Sequence, residues 1–180
     1  MSRIERWVRA SFATVRFEQV MCMTIQGLGR IDVSLIEDDE LFLADFENNR
    51  NSLNENLKLN DRFTLSYLWV LGGYEVVRTI CQRIKEKRDD IPGEVTTKFE
   101  ELKKEFNRLR IPLAKMEAAS AHKNTDSHFA YPAINTKGIA WQVSQDVFIT
   151  RRDLSDRLLE ALEFARSNDQ NLNNLEVPSA

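Results

Sequence analysis

Hydrophobic positions recur with helical spacing in two stretches of the chain that are separated by a short polar segment. In each stretch, seven side chains step alternately by four and three positions, which places them on one stripe of an α-helix. Residues 85–94 between the stretches contain Pro92-Gly93, a turn signal that allows the chain to reverse. The pattern therefore predicts an antiparallel helical hairpin. The first stripe is Phe63, Tyr67, Val70, Tyr74, Val77, Cys81 and Ile84, and the second is Val95, Phe99, Leu102, Phe106, Leu109, Leu113 and Met116.

The second stripe runs through Pro112. A proline inside a helix removes one backbone donor and clashes with the preceding turn. Because the apolar spacing continues on both sides, we expect a kinked helix rather than two separate segments. Four charged side chains, those of Arg108, Arg110, Lys115 and Glu117, surround the kink. They make it a candidate polar site, with a purely structural bend as the alternative.

The N-terminal segment alternates arginines with apolar residues. We favour a first core helix whose arginines stay in water over a membrane-surface helix or a targeting peptide. Residues 15–25 fit either a helix or a strand. Gly27 and Gly29 predict a turn that ends this element. Residues 32–61 are rich in acidic side chains and asparagine, so they predict a solvated connector with a short helix around Leu41.

Two later segments have the composition of β-strands. Residues 129–134 and 139–143 are rich in aromatic and branched side chains, and Gly138 lies in the loop between them. Proline cannot donate to a strand ladder, so Pro132 predicts an edge strand. A lone hairpin is only marginally stable in water. We therefore expect this one to pack on the helices.

The last helix has a clear start. Thr150 followed by Asp153 resembles a capping box, with Asp in place of Glu or Gln. Arg151 and Arg152 fall in the first turn, where positive charge opposes the helix dipole. Their position raises the question of an anionic partner.

These elements predict a mainly α fold, a helical bundle built on the antiparallel hairpin with a small β-hairpin before the last helix. Residues 1–166 would form a single domain, with the β-hairpin at about 128–144. Residues 167–180 have little to bury and predict a flexible tail.

Composition narrows the function only slightly. A net charge of −3 gives no global field that would recruit nucleic acid or an anionic membrane. No apolar run approaches the length of about 20 residues that spans a bilayer. Cys22 and Cys81 lie in apolar runs and read as free thiols, which suits a reducing cytoplasm. We therefore predict a cytoplasmic protein without a membrane span or a cofactor.

Both histidines lie in one small, polar segment. His122, Asp126 and His128 could supply three metal ligands, since imidazole and carboxylate suit zinc or iron. Their spacing fits no familiar site, however, and histidines in polar loops are usually solvated. We therefore predict no metal site, and leave open whether this loop has a role.

One family resemblance rests on residues 74–78 (YEVVR) and 106–115 (FNRLRIPLAK), about a third of the chain with the hairpin around them. The hairpin resembles the core of the HEPN family of helical domains, which includes RNA-cutting enzymes and many inactive relatives. Active members carry an arginine, usually a polar residue next, and a histidine four to six positions on. Arg110 matches the arginine, but Ile111 replaces the polar residue and Lys115 stands where histidine would. Lysine lacks the near-neutral pKa of a proton shuttle, so the resemblance points away from nuclease activity.

The sequence contains no nucleophile elbow, phosphate-binding loop or zinc-protease motif. We therefore predict no catalytic residues and favour a non-catalytic helical interaction module, homodimeric through surplus apolar helix surface. One alternative is a HEPN-like protein that binds or cuts RNA through Arg110, with Lys115 or a loop histidine. Another is a small-molecule binder with a pocket between the Pro112 kink and the Trp141 hairpin. The candidate ligand-binding residues are Glu75, Arg78, Arg110, Lys115, Tyr131 and Trp141.

Overall fold

The computed structural model describes residues 1–44, 53–86 and 91–169 of the 180-residue chain. Within these ranges the fold is mostly helical, with one small antiparallel sheet before the last helix, as the sequence predicts. The helices are α1 (Arg3–Ser11), α2 (Met21–Ala44), α3 (Leu53–Glu86), α4 (Gly93–Lys115) and α5 (Arg151–Ser167). The strands are β1 (Tyr131–Asn135), β2 (Gly138–Ser144) and β3 (Val147–Thr150).

The predicted hairpin is formed by α3 and α4. The Cys81 thiol contacts the Phe99 carbonyl at 3.4 Å, and a Cβ on Gly73 would lie 2.9 Å from the Phe106 ring. Higher residue numbers on α3 thus contact lower residue numbers on α4, so the two helices are antiparallel. Their stripes supply much of the core, since most of the stripe residues are buried. The antiparallel hairpin is confirmed.

The second stripe forms a single helix across its proline. Pro112 lies inside α4 and is buried. The helix ends at Lys115, and Met116 follows with a positive φ of 55°. Met116 is also exposed, so its predicted place on the stripe is wrong. A left-handed residue closes a helix and turns its side chain away from the helix face.

The predicted turn at Gly27 and Gly29 and the predicted connector over residues 32–61 are wrong. Both glycines lie inside α2, which continues to Ala44, and α3 already begins at residue 53. A Cβ on Gly29 would lie 2.5 Å from the Trp7 side chain, so this glycine allows α1 to pack closely on α2. The rest of the predicted connector, residues 45–52, lies outside the described residues.

The predicted β-hairpin is confirmed and extended by a third strand. β1 pairs with β2, and β2 with β3, all antiparallel. Gly138 opens β2 with a φ of 97°, the left-handed conformation that glycine adopts without strain. β2 is the most buried strand and contacts α2, α4 and α5. β3 is only four residues long and runs directly into α5. For this reason the sequence carries no separate signal for β3.

α5 lies against α1, α3 and α4 at the centre of the bundle. Its predicted start is confirmed, because the Thr150 hydroxyl accepts a hydrogen bond from the Asp153 backbone at 2.8 Å. Beyond its end, Asp169 is buried and lies 3.6 Å from Arg16. The described part of the predicted tail therefore packs on the domain, and residues 170–180 lie outside the described residues.

The N-terminal segment forms a core helix, as favoured from the sequence. Trp7 on α1 is fully buried. The predicted solvation of the arginines of α1 is not complete, because Arg6 donates two hydrogen bonds of 2.8 Å to Glu163 on α5. None of the described helices is long and apolar enough to cross a bilayer.

Candidate functional site

Of the predicted site residues on α3 and α4, two form a pair within one helix and one makes a contact between the helices. Arg78 donates to Glu75 at 2.7 Å, one turn away on the same exposed face of α3. The Arg110 guanidinium lies 4.8 Å from the centre of the Tyr74 ring, a cation–π contact that joins α4 to α3. Lys115 is exposed at the end of α4.

The two predicted aromatic residues have different environments. Trp141 on β2 is buried, and its ring meets that of Phe63 edge-on at 6.3 Å. Tyr131 on β1 is exposed and lies 6.4 Å from the Phe129 ring. Trp141 therefore packs the β-hairpin onto α3, as expected for a hairpin that packs on the helices. Among the described residues, no hydrogen bond, ion pair or ring contact joins Tyr131 or Trp141 to Glu75, Arg78 or Arg110.

A surface cleft of about 500 Å³ lies between α4, the sheet and α5. None of the six predicted residues lines it, although Arg108 on its α4 wall lies one turn before Pro112. Charged side chains dominate its walls, and Phe148 supplies an exposed ring. The lining residues are Glu105, Arg108, Lys137, Phe148, Ile149, Asp153, Leu154 and Arg157.

The charges of this cleft are paired with each other or with near neighbours. Arg108 makes a two-point contact with the buried carboxylate of Asp126, at 2.8 and 3.0 Å. Burial raises the pKa of Asp126, but the hydrogen bonds from Arg108 and Thr125, together with the charge of Arg108, leave the pKa below its ordinary value. Arg157 is hydrogen-bonded to Glu105. Burial raises the pKa of Glu105, and the charge of Arg157 acts against that rise.

The third pair of the cleft ties the β1–β2 turn to the start of α5. Lys137 donates to Asp153 at 2.5 Å, and Asp153 also accepts from the Thr150 hydroxyl at 2.7 Å. Burial raises the pKa of Asp153, but these hydrogen bonds bring it below its ordinary value. The cleft thus contains both positive and negative side chains, and each is already in an ion pair. A charged ligand would have to replace one partner of such a pair.

A second polar cluster, which the sequence did not reveal, lies in the core. Arg151 at the first position of α5 and Asp32 on α2 are both fully buried, and they are joined by a hydrogen bond of 2.5 Å. Asp32 also accepts from Arg3 at 2.7 Å and from the Trp7 indole at 2.9 Å. The question raised by an arginine in the first turn of α5 is therefore answered within the chain.

Asp39, two turns further along the same face of α2, completes this cluster. Its carboxylate lies 3.5 Å from Arg151 and accepts from the backbone of Ile139. Burial raises the pKa of Asp39, and the charge of Arg151 acts against that rise. The pocket of Asp39 is tight, since a Cβ on Gly138 would overlap the carboxylate. The cluster joins α1, α2, the β-hairpin and α5, and its burial suits a structural rather than a catalytic role.

Apolar side chains remain exposed along α2 and α3, which pack side by side. The Trp69 indole donates to the Leu28 carbonyl at 2.9 Å, and Arg62 donates to the Asp38 carbonyl at 2.8 Å. These contacts set an antiparallel register between the helices. We call the exposed apolar surface beside this contact the α2/α3 face, which comprises Ile31 and Leu41 on α2 and Leu57, Leu65 and Leu68 on α3.

The residues of the α2/α3 face lie close in level along the two helices. The register places Ile31 level with Leu68, and Leu41 level with Leu57. Leu41 is 71% exposed and Leu68 is 53% exposed. Large apolar surfaces that neighbour each other in this way mark interaction sites more often than single exposed residues do. Sequence reasoning missed this face because it assigned the α2 half to a connector.

The histidine segment has no metal-binding arrangement in the structure. Asp126 is committed to Arg108, while His128 is exposed. In the part of the chain that the structure describes, no group of three or more His, Cys, Asp or Glu side chains is placed to hold a metal ion. Cys22 and Cys81 are free thiols.

Comparison of the chain with family models, with curated proteins and with solved structures finds no match. The resemblance to the HEPN family is not tested by these comparisons and stays a prediction.

Proposed function

We propose that this chain is a non-catalytic helical interaction module that forms a homodimer through the α2/α3 face. The observation that carries the proposal is the exposure of five large aliphatic side chains on two adjacent helices. Exposing them to water has a cost that a partner would remove, at about 25 cal/mol per Å² of apolar surface buried. Symmetric dimers are the commonest way in which a soluble chain covers such a surface.

The buried ionic cluster supports a scaffold role. The fully buried side chains of Arg151 and Asp32 fix the relative positions of α1, α2 and α5. A rigid bundle presents α2 and α3 as a fixed surface, which lowers the entropic cost of association.

The proposal is tested by the molar mass of the full chain in light scattering, using the variant Leu68→Glu. We expect the wild-type chain to be dimeric and the variant to be monomeric, because a carboxylate cannot be buried unpaired in an apolar interface. Phe129→Glu is a matched control, since Phe129 is 49% exposed and lies off the face. A monomeric wild type, or an equal loss of dimer in both variants, would contradict the proposal.

A second candidate function is the binding of a small charged ligand in the cleft of Arg108, Lys137 and Arg157. It is favoured by the convergence of both signs of charge and one exposed ring, Phe148, around about 500 Å³. Calorimetric titration with free amino acids and with inorganic phosphate tests it. Binding that is lost in Arg157→Gln would support this role, and no heat from either probe would remove it.

A further inference from the structure

One side of α2 is exposed along more than half of the helix. Its residues recur at three- and four-residue steps, so they form a single stripe, and none of them is buried. The stripe borders the α2/α3 face and shares two residues with it. We call it the α2 stripe, and it comprises Gly27, Arg30, Ile31, Ser34, Glu37, Asp38 and Leu41.

The charges of the α2 stripe are complementary about its centre. Arg30 and Asp38 lie four residues before and four residues after Ser34, and about 12 Å separates them along the helix. Both are exposed, and neither side chain makes an ion pair within the described chain. In two antiparallel copies of α2 related by a two-fold axis at Ser34, Arg30 of one copy would face Asp38 of the other.

The shape of the α2 stripe is complementary about the same centre. Gly27 and Leu41 are each seven residues from Ser34. A Cβ on Gly27 would meet nothing within 4 Å, whereas Leu41 is among the most exposed aliphatic side chains. The two-fold axis that pairs Arg30 with Asp38 also seats Leu41 of one copy over Gly27 of the other.

Within the described residues, no neighbouring side chain packs closely on Gly27. Glycine disfavours a helix interior, and Gly29 has a clear reason to be there because Trp7 packs on it. Gly27 lies in open space instead. A glycine is useful where another helix approaches closely, which a second copy of α2 would do.

We infer that the α2 stripe is the centre of the homodimer interface, with the two α2 helices antiparallel and the two-fold axis passing by Ser34. The occupant is a second copy of this chain, because a surface whose charge and shape match under a two-fold rotation is self-complementary. The inference rests on the proposed function, since it specifies how the dimer forms. Leu65 and Leu68 on α3 would then flank the paired helices.

A cysteine at the axis tests the geometry. In Ser34→Cys the two thiols of a dimer would lie within disulfide distance, so mild oxidation should convert most of the chain to a covalent dimer on a non-reducing gel. Thr97→Cys, an exposed position on α4, and the wild-type chain with its two native cysteines are the controls and should stay uncrosslinked. A dimer in light scattering that does not crosslink through Ser34→Cys would overturn this inference and leave the proposed function standing. A wild type that is monomeric throughout would overturn both.

Charge exchange tests the pairing. Arg30→Asp and Asp38→Arg should each raise the dimer dissociation constant about tenfold, since like charges then face each other, and the double variant should restore it. Both positions are exposed without ion pairs in the monomer, so an unchanged circular dichroism melting curve at low concentration verifies the fold. A double variant no better than either single variant would overturn the Arg30–Asp38 pairing and with it the antiparallel register.

Discussion

Arg151 carries the strongest residue-level consequence of this fold. Its guanidinium is fully buried between the carboxylates of Asp32 and Asp39. It also lies 5.9 Å from the centre of the Trp69 ring, in a cation–π contact. Removing one partner of such a cluster leaves uncompensated charge in the core, which typically costs about 3–5 kcal/mol. The ion pair of the neighbouring Arg152 is exposed and should contribute about 1 kcal/mol or less.

We therefore expect Arg151→Met to lower the free energy of unfolding by about 3–5 kcal/mol and Arg152→Met by about 1 kcal/mol or less. Urea denaturation at neutral pH measures both. Equal, small effects of the two substitutions would show that the buried cluster does not hold the bundle together.

The second residue-level prediction concerns Asp126. Its pKa in the folded chain lies below the ordinary value through Arg108, so its ionised form stabilises the fold. That contribution is complete above the unfolded-state value near pH 4 and is lost as pH falls through the lower folded-state pKa. Asp126→Asn should thus lower stability at neutral pH, and the gap to wild type should narrow below about pH 4. A gap in urea midpoint that does not change with pH would contradict this assignment.

Sequence reasoning identified Arg151 as an anomaly but could not find its partner. Asp32 is 119 positions away, and nothing local distinguishes it from the solvated acids around it. Buried ion pairs are made by tertiary structure, which a single sequence does not display. Glu75 instead pairs with Arg78 three positions along the same helix, which short helical spacing does anticipate, whereas the contact of Arg110 with Tyr74 is between two helices.

At the level of elements, the two glycines of α2 offer a matched comparison. We expect Gly27→Ala to raise monomer stability by up to about 1 kcal/mol, because alanine favours helix and the added Cβ meets open space. Gly29→Ala should destabilise the fold, because its Cβ would overlap Trp7. Thermal unfolding at low protein concentration measures both. Loss of stability in Gly27→Ala would contradict the open position of this residue.

The elements that were predicted correctly, including α1 and the β-hairpin, each carry a local sequence signal. α3 and α4 carry alternate steps of four and three, and α5 has a capping threonine, so each has a local signal. α2 lacks a regular apolar stripe, because it buries the polar residues Asp32 and Asp39 and exposes the apolar residue Leu41. Its polar residues therefore read as a connector, and the surface that it presents was missed.

At the level of the whole molecule, the described chain is a bundle locked by an internal ionic cluster, with unused apolar surface along α2 and α3. The fold class followed from the hairpin stripes and the β-hairpin. The α2/α3 face did not, because it depends on the packing of two helices that the sequence alone does not place side by side. We propose that a second copy of the chain covers this face.

Sedimentation equilibrium of the wild-type chain over a wide range of concentration tests this proposal most directly. We expect the weight-average mass to rise from the chain mass of 20.9 kDa toward twice that value and then to level off, because a two-fold interface closes after one partner is bound. A mass that stays at 20.9 kDa at every concentration would contradict it.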